Sequence, residues 1–139
     1  MIRLAQELAD LSNSLPIEHT NSIFVRVDSD RVDVMQALVF GSKGTPYGGG
    51  GFIFDIYFDD KYPSVPPKVN LTTTGSGKIR FNPNLYANGK VCLSLLGTWR
   101  GHASENWDPK LSTLLQVLVS LQAIIMSEDV FFNEPGYEG

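Results

Sequence analysis

The sequence predicts an α+β fold: an N-terminal helix, a four-stranded antiparallel meander, a turn-rich coil and a second, central helix. Three observations carry this. Apolar residues recur at helical spacing near both ends of the chain and alternate with a period of two between them. The links between the strand-like runs are short, which suits antiparallel hairpins and leaves no room for parallel crossovers. One stretch, Arg80 to Ser94, has the grammar of neither element.

Ile2 to Ser12 sets Leu4, Leu8 and Leu11 on one face, with Arg3, Gln6, Glu7 and Asp10 elsewhere. That pattern is a short amphipathic helix, and Pro16 stops it. Ser22 to Asp28 turns Ile23, Val25 and Val27 inward, with Phe24 and Arg26 between them. Val32 to Phe40 follows after Ser29-Asp30, rich in β-branched and aromatic residues. Gly51 to Phe58 alternates Phe52, Phe54, Ile56 and Phe58 against Ile53, Asp55 and Tyr57, so both faces are largely apolar. Lys68 to Thr73 is the fourth strand. The loop before it, Tyr62-Pro63-Ser64-Val65-Pro66-Pro67, loses donors and φ freedom to its prolines and is stiff. Leu95 to Asn106 reads as a polar loop. Leu111 to Met126 then spaces Leu114, Val117, Leu118, Leu121 and Ile125 over a wide helical arc, with Asp108-Pro109 or Ser112 as its cap.

The 139 residues amount to one domain, 1–139, large enough for a core without disulfide or metal. With 42% hydrophobic and 19% charged residues the chain is globular in composition. A formal charge of -4 and a pI near 5.0 speak against nucleic acid as a partner. No apolar run reaches membrane-spanning length, so no membrane partner is expected. A single cysteine makes neither an internal disulfide nor a multi-cysteine zinc site. No metal or cofactor is expected, and a reducing compartment, cytoplasm or nucleus, suits the thiol. As an isolated domain the chain is expected to be a monomer.

That cysteine, Cys92, closes the irregular stretch Arg80-Phe81-Asn82-Pro83-Asn84-Leu85-Tyr86-Ala87-Asn88-Gly89-Lys90-Val91. Asn, Pro and Gly recur every few residues, and Asn88-Gly89 is a strong turn signal. Five apolar side chains, Phe81, Leu85, Tyr86, Val91 and Leu93, argue for a pinned coil that presents a thiol. A lone cysteine is more often an inert core residue. Its delivery by a turn-rich coil is what favours reactivity here. A Cys–His dyad has little support: His102 sits in the polar loop, and neither it nor His19 has a partnering motif.

Several features in fixed order give the chain a family likeness: Thr45-Pro46-Tyr47 before glycines, Tyr62-Pro63, Pro66-Pro67, Asn82-Pro83-Asn84, Cys92-Leu93, and Trp107-Asp108-Pro109 before a helix. The chain resembles the ubiquitin-conjugating (E2) enzymes over nearly its whole length. The interval from Asn84 to Cys92 is similar to that between the family's His-Pro-Asn motif and its catalytic cysteine. The nearest likeness is to E2 domains of very large proteins, on the runs Arg80 to Tyr86, Gly89 to Ser94 and Phe132 to Glu138.

The resemblance implies a UBC-like fold and an acyl transfer in which Cys92 takes ubiquitin from an activating enzyme as a thioester. It implies that Asn84 donates to the developing oxyanion or braces the loop, and that Glu134 stands beside the incoming lysine. By the same likeness Tyr86 and Ser94 border the substrate channel, while Ser64, Trp107, Asp108 and Pro109 face an E1 or E3 partner. The protein substrate supplies the lysine. Departures from the pattern are Asn82 in place of histidine, Ser94 in place of an acidic residue, and Ser64 where many members dock ligases through Phe. The family's usual C-terminal helices are also absent, which reads as truncation of the domain. Two alternatives stand beside ubiquitin transfer: an E2 for SUMO or another ubiquitin-like modifier, suggested by Tyr86, and a non-catalytic E2-shaped binding module.

Overall fold

Four strands lie in chain order in a single antiparallel sheet: β1 (Ile23–Val27), β2 (Val34–Phe40), β3 (Gly51–Tyr57) and β4 (Lys68–Leu71). The computed structural model describes residues 2–14, 22–41, 43–98 and 103–125. Two helices flank the sheet in sequence, α1 (Ile2–Ser14) and α2 (Leu114–Ile125). The UBC-like arrangement expected from the resemblance is therefore present, with two α-helices among the described residues.

The alternation of the strands becomes the register. Met35, Ala37 and Val39 lie opposite Ile56, Phe54 and Phe52, and Leu71 lies opposite Phe54. All seven are buried on one face. Leu114, Val117, Leu118 and Leu121 of α2 close that face, and Leu4 and Leu11 of α1 join the same core. Full burial of each such side chain is worth about 1.5–3 kcal/mol, so the inner face of the sheet fixes where α2 must lie. Burial tapers along β1: Ile23 is enclosed, Val25 half-buried and Val27 exposed.

Several boundaries differ from the sequence expectation, each for a local reason. β2 begins at Val34, not Val32, because Asp28 Oδ1 accepts the N–H groups of Asp30 (2.8 Å) and Arg31 (3.0 Å) and lengthens the turn. β4 ends at Leu71, since Thr74 N–H donates to Thr72 O and starts a new turn. The start of α2 is set by neither Asp108-Pro109 nor Ser112. Thr113 Oγ1 accepts Gln116 N–H at 3.2 Å, and Gln116 Oε1 accepts Thr113 N–H at 3.1 Å, a reciprocal capping box. Leu111 is left outside the helix and exposed. The polar loop after the cysteine contains two short 3-10 turns, Ser94–Leu96 and Ala103–Glu105, and the first buries Leu96. The stop signal Pro16 and both histidines, His19 and His102, lie outside the described residues.

Glu7 departs most from expectation. Its carboxylate is buried (7% exposed), not solvated. Oε1 accepts Leu114 N–H at 2.9 Å, Oε2 accepts the Tyr62 hydroxyl, and Arg3 Nε lies 3.9 Å from Oε2. The first N–H groups of a helix have no intrahelical acceptor and carry positive partial charge, so a carboxylate is favoured there. Glu7 thus ties α1 to the start of α2 and to the proline loop. Arg3 adds to the tie by donating to the carbonyls of Pro109 (2.8 Å) and Ser112.

Candidate active site

The coil before Cys92 is pinned first by aromatic packing. Phe81 meets Phe52 edge-on with ring centroids 5.0 Å apart, and both meet Tyr47, at 6.5 and 5.6 Å. The Tyr47 hydroxyl donates to Phe81 O. Burial raises the Tyr47 pKa, which keeps that donor protonated. Asn82 comes next, buried, with Oδ1 accepting Asn84 N–H at 2.9 Å and Nδ2 donating to Ile124 O at 3.3 Å. Ile124 belongs to the last turn of α2, where carbonyls lack intrahelical donors. Asn82, standing where the family carries histidine, therefore fastens the coil to α2.

From Asn84 the chain folds back on itself. Leu85 bridges Val91, Tyr86 N–H donates to Lys90 O at 3.0 Å, and Gly89 N–H donates to Tyr86 O at 3.0 Å. Gly89 takes a φ of +91°, and a Cβ there would lie 2.3 Å from Asn70 Oδ1. The turn is thus pressed against β4, where Leu71 N–H donates to Gly89 O at 2.9 Å. Leu85 and Val91 sit in the core and hold the two arms together.

Cys92 emerges from this hairpin clamped on its backbone. Cys92 N–H donates to Asn84 O at 2.9 Å, and Asn84 Nδ2 donates back to Cys92 O at 2.8 Å. Asn84 Oδ1 is buried without a hydrogen-bond partner. On the far side, Thr98 Oγ1 accepts Leu93 N–H at 3.0 Å and donates to Val91 O at 2.7 Å, so one hydroxyl straddles the cysteine. Gly97, at φ 68°, closes the intervening turn. Thr98 was not singled out from the sequence; its signal is a hydroxyl shortly after the cysteine, just past a glycine. Cys92 itself is 1% exposed, which corrects the expectation of a presented thiol. With core residues on both arms and hydrogen bonds on both flanks, the segment draws its side chain inward.

Tyr86 is half-buried, with the Arg80 guanidinium carbon 4.0 Å and Lys90 Nζ 5.6 Å from its ring centroid. Ser94 opens the 3-10 turn directly after the cysteine segment. Glu134 lies outside the described residues. The four expected partner-facing residues are brought together elsewhere. Trp107 Nε1 donates to Pro63 O at 2.7 Å, beside exposed Ser64, and its ring lies 5.7 Å from that of Tyr62. Asp108 and Pro109 are exposed on the adjoining turn, which Ser112 Oγ closes by accepting Asp108 N–H at 2.8 Å. Burial, then the Glu7 carboxylate, raises the Tyr62 pKa well above the usual phenol value. Among the described residues no cluster of three or more His, Cys, Asp or Glu could hold a metal, and no helix is long and apolar enough to cross a membrane.

Residues 3–133 match the family model described as ubiquitin-conjugating enzyme. The chain belongs to the ubiquitin-conjugating enzyme family. This E2 chain is 56% identical over 136 residues to the human dual E2 ubiquitin-conjugating enzyme/E3 ubiquitin-protein ligase BIRC6, covering 98% of this chain and 3% of that protein. It is 54% identical over 136 residues to the probable ubiquitin-conjugating enzyme protein 17 of Caenorhabditis elegans, covering 98% of this chain and 18% of that one. The E2 chain thus spans a small part of the length of either relative. Among solved structures, human ubiquitin-conjugating enzyme E2 G1 superposes with a TM-score of 0.72 at 27% identity, covering 89% and 92% of the two chains. A Plasmodium vivax ubiquitin-conjugating enzyme E2 gives 0.69 at 28% identity, covering 88% and 98%.

Proposed function

We propose that this chain carries ubiquitin on Cys92 as a thioester and passes it to a substrate lysine or a ligase. The observation that carries this reading is the Asn84–Cys92 clamp, which places a side-chain amide against the backbone of the sole cysteine. In the first step Cys92 Sγ attacks the thioester carbonyl of an activating enzyme. A new S–C bond forms, the old one breaks, and the proton lost by Cys92 is gained by the departing thiol. In the second step a lysine amine attacks the same carbonyl, and the Cys92 sulfur leaves as thiolate before regaining a proton.

Asn84 Nδ2 carries two hydrogens, one of them given to Cys92 O. Its Oδ1 goes without a partner, at a cost of about 1–3 kcal/mol. A donor beside Cys92 stabilises the oxyanion of the tetrahedral intermediate. Glu134 orients the incoming amine, and Tyr86 and Ser94 border its path. The face made by Ser64, Trp107, Asp108 and Pro109 receives the activating enzyme and the ligase. A reducing compartment, cytoplasm or nucleus, keeps Cys92 a thiol.

One observation favours a second reading, an E2-shaped binding module without turnover: Cys92 is 1% exposed, and a sealed sulfur exchanges no acyl group. Incubation with activating enzyme, ATP and ubiquitin separates the two. Transfer predicts an adduct that thiol reductant cleaves in the wild type and that Cys92→Ser converts to a reductant-resistant ester. No adduct in the wild type would support the binding module. Repeating the reaction with SUMO and its own activating enzyme tests the identity of the modifier.

A further inference from the structure

The surface assigned to the activating enzyme and the ligase comes from two stretches far apart in sequence. Ser64 lies in the proline loop, and Trp107, Asp108 and Pro109 lie in the turn before α2. Trp107 Nε1 donates to Pro63 O at 2.7 Å, and the Trp107 and Tyr62 rings lie 5.7 Å apart. Tyr62 packs against Phe58 as well, with ring centroids 4.9 Å apart. The two stretches therefore touch, and both lead back to one carboxylate. The Tyr62 hydroxyl donates to Glu7 Oε2, and Leu114 N–H, at the start of α2, donates to Glu7 Oε1 at 2.9 Å. One turn earlier on α1, Arg3 Nη1 donates to Pro109 O at 2.8 Å.

Glu7 is 7% exposed. A carboxylate so enclosed acts on a partner only through the residues it holds. A surface already fixed in its bound shape needs no ordering on contact, whereas a loop free to shift loses that freedom at each encounter.

We infer that Glu7 is a positioning residue for partner recognition: through Tyr62 and Leu114 it holds the proline loop and the Trp107–Pro109 turn as one preformed surface. The inference rests on that surface receiving the activating enzyme and on Cys92 carrying ubiquitin.

Tyr62→Phe is the sparing probe, since it removes one hydroxyl and keeps the ring against Trp107 and Phe58. Thioester formation on Cys92 is followed at rising concentrations of the chain, with activating enzyme, ATP and ubiquitin held fixed. Tyr62→Phe is expected to raise the concentration for half-maximal charging about three- to ten-fold at an unchanged maximal rate, the pattern of lost binding. Its purified thioester, away from the activating enzyme, should discharge to free lysine at the wild-type rate. Glu7→Gln keeps an oxygen for Leu114 N–H and gains an amide that donates to the Tyr62 oxygen, so it should charge like the wild type. Solvent exchange of the Trp107 indole N–H should quicken in Tyr62→Phe and stay slow in Glu7→Gln. Half-maximal charging unmoved in Tyr62→Phe, or slower charging matched by an equal loss of lysine discharge, would overturn the inference alone. No thioester on the wild type at any concentration would overturn it together with the transfer reading.

Discussion

Asn84 and Cys92 hold each other twice, Cys92 N–H to Asn84 O at 2.9 Å and Asn84 Nδ2 to Cys92 O at 2.8 Å, while Asn84 Oδ1 goes without a partner. Deleting the amide therefore has opposed effects on stability: it leaves Cys92 O without this donor, costing about 1–3 kcal/mol, and removes an orphaned acceptor of similar cost. Asn84→Ala is expected to leave the urea midpoint nearly unchanged while single-turnover discharge to lysine falls about 10²-fold, the scale of one lost oxyanion donor. A fall in stability with unaltered discharge would assign Asn84 to bracing instead.

Thr98 brackets the cysteine through Val91 O and Leu93 N–H. Wild-type Cys92 should be alkylated by iodoacetamide at least about ten-fold more slowly in buffer than in urea, since opening the segment costs a kcal/mol or more. Thr98→Val keeps the shape and loses the hydroxyl, so it should speed alkylation; Thr98→Ser should restore the slow rate. Wild type reacting as fast as the unfolded chain would refute the enclosure of Cys92.

Glu7 satisfies Leu114 N–H and the Tyr62 hydroxyl together. Glu7→Ala leaves both buried donors without this acceptor and should cost roughly 2–4 kcal/mol. The expected readout is a lower urea midpoint at constant m-value, because the surface exposed on unfolding barely changes.

Alkali should act through Tyr62 and Tyr47, whose pKa values are both raised by burial, with the Glu7 carboxylate adding to the shift at Tyr62. A raised folded-state value means that the native state holds its proton more tightly than the unfolded chain. The stabilisation is whole below the unfolded phenol value of about 10 and declines as pH rises from there toward the folded values. Thermal melts should show this loss above about pH 10, and Tyr62→Phe should lessen it. A melting temperature flat to about pH 11 would contradict the assignment.

Gly89→Ala combines a Cβ at φ +91° with a contact of 2.3 Å to Asn70 Oδ1 and 2.8 Å to Leu71 O. Strain of about 1–3 kcal/mol is expected from the backbone alone. Amide exchange of Leu71, whose N–H donates to Gly89 O, should quicken if the turn lifts from β4; unchanged exchange and stability would count against this packing.

The strands were legible because a period of two survives without knowledge of partners, and the order of the meander followed from short links. The boundary of α2 was not, since Thr113 and Gln116 cap only when both side chains turn back, and Ser112 offers the same chemistry one residue earlier. Glu7 was set only off the apolar face of Leu4, Leu8 and Leu11: helical spacing shows which side a residue is on, not that another helix's first N–H will arrive there. Asn84 and Cys92 were found from motif spacing and do meet. The burial of Cys92 and the grip of Thr98 depend on how the segment after the cysteine curls, which local composition does not encode.

The second helix is tied at both extremities, by Glu7 to Leu114 at its start and by Asn82 to Ile124 near its finish. Its 12 residues span about 18 Å. That strut fixes the distance between the surface around Ser64 and Trp107 and the sulfur of Cys92. Whatever grips one end meets the other at a spacing set by rigid geometry and not by loop conformation.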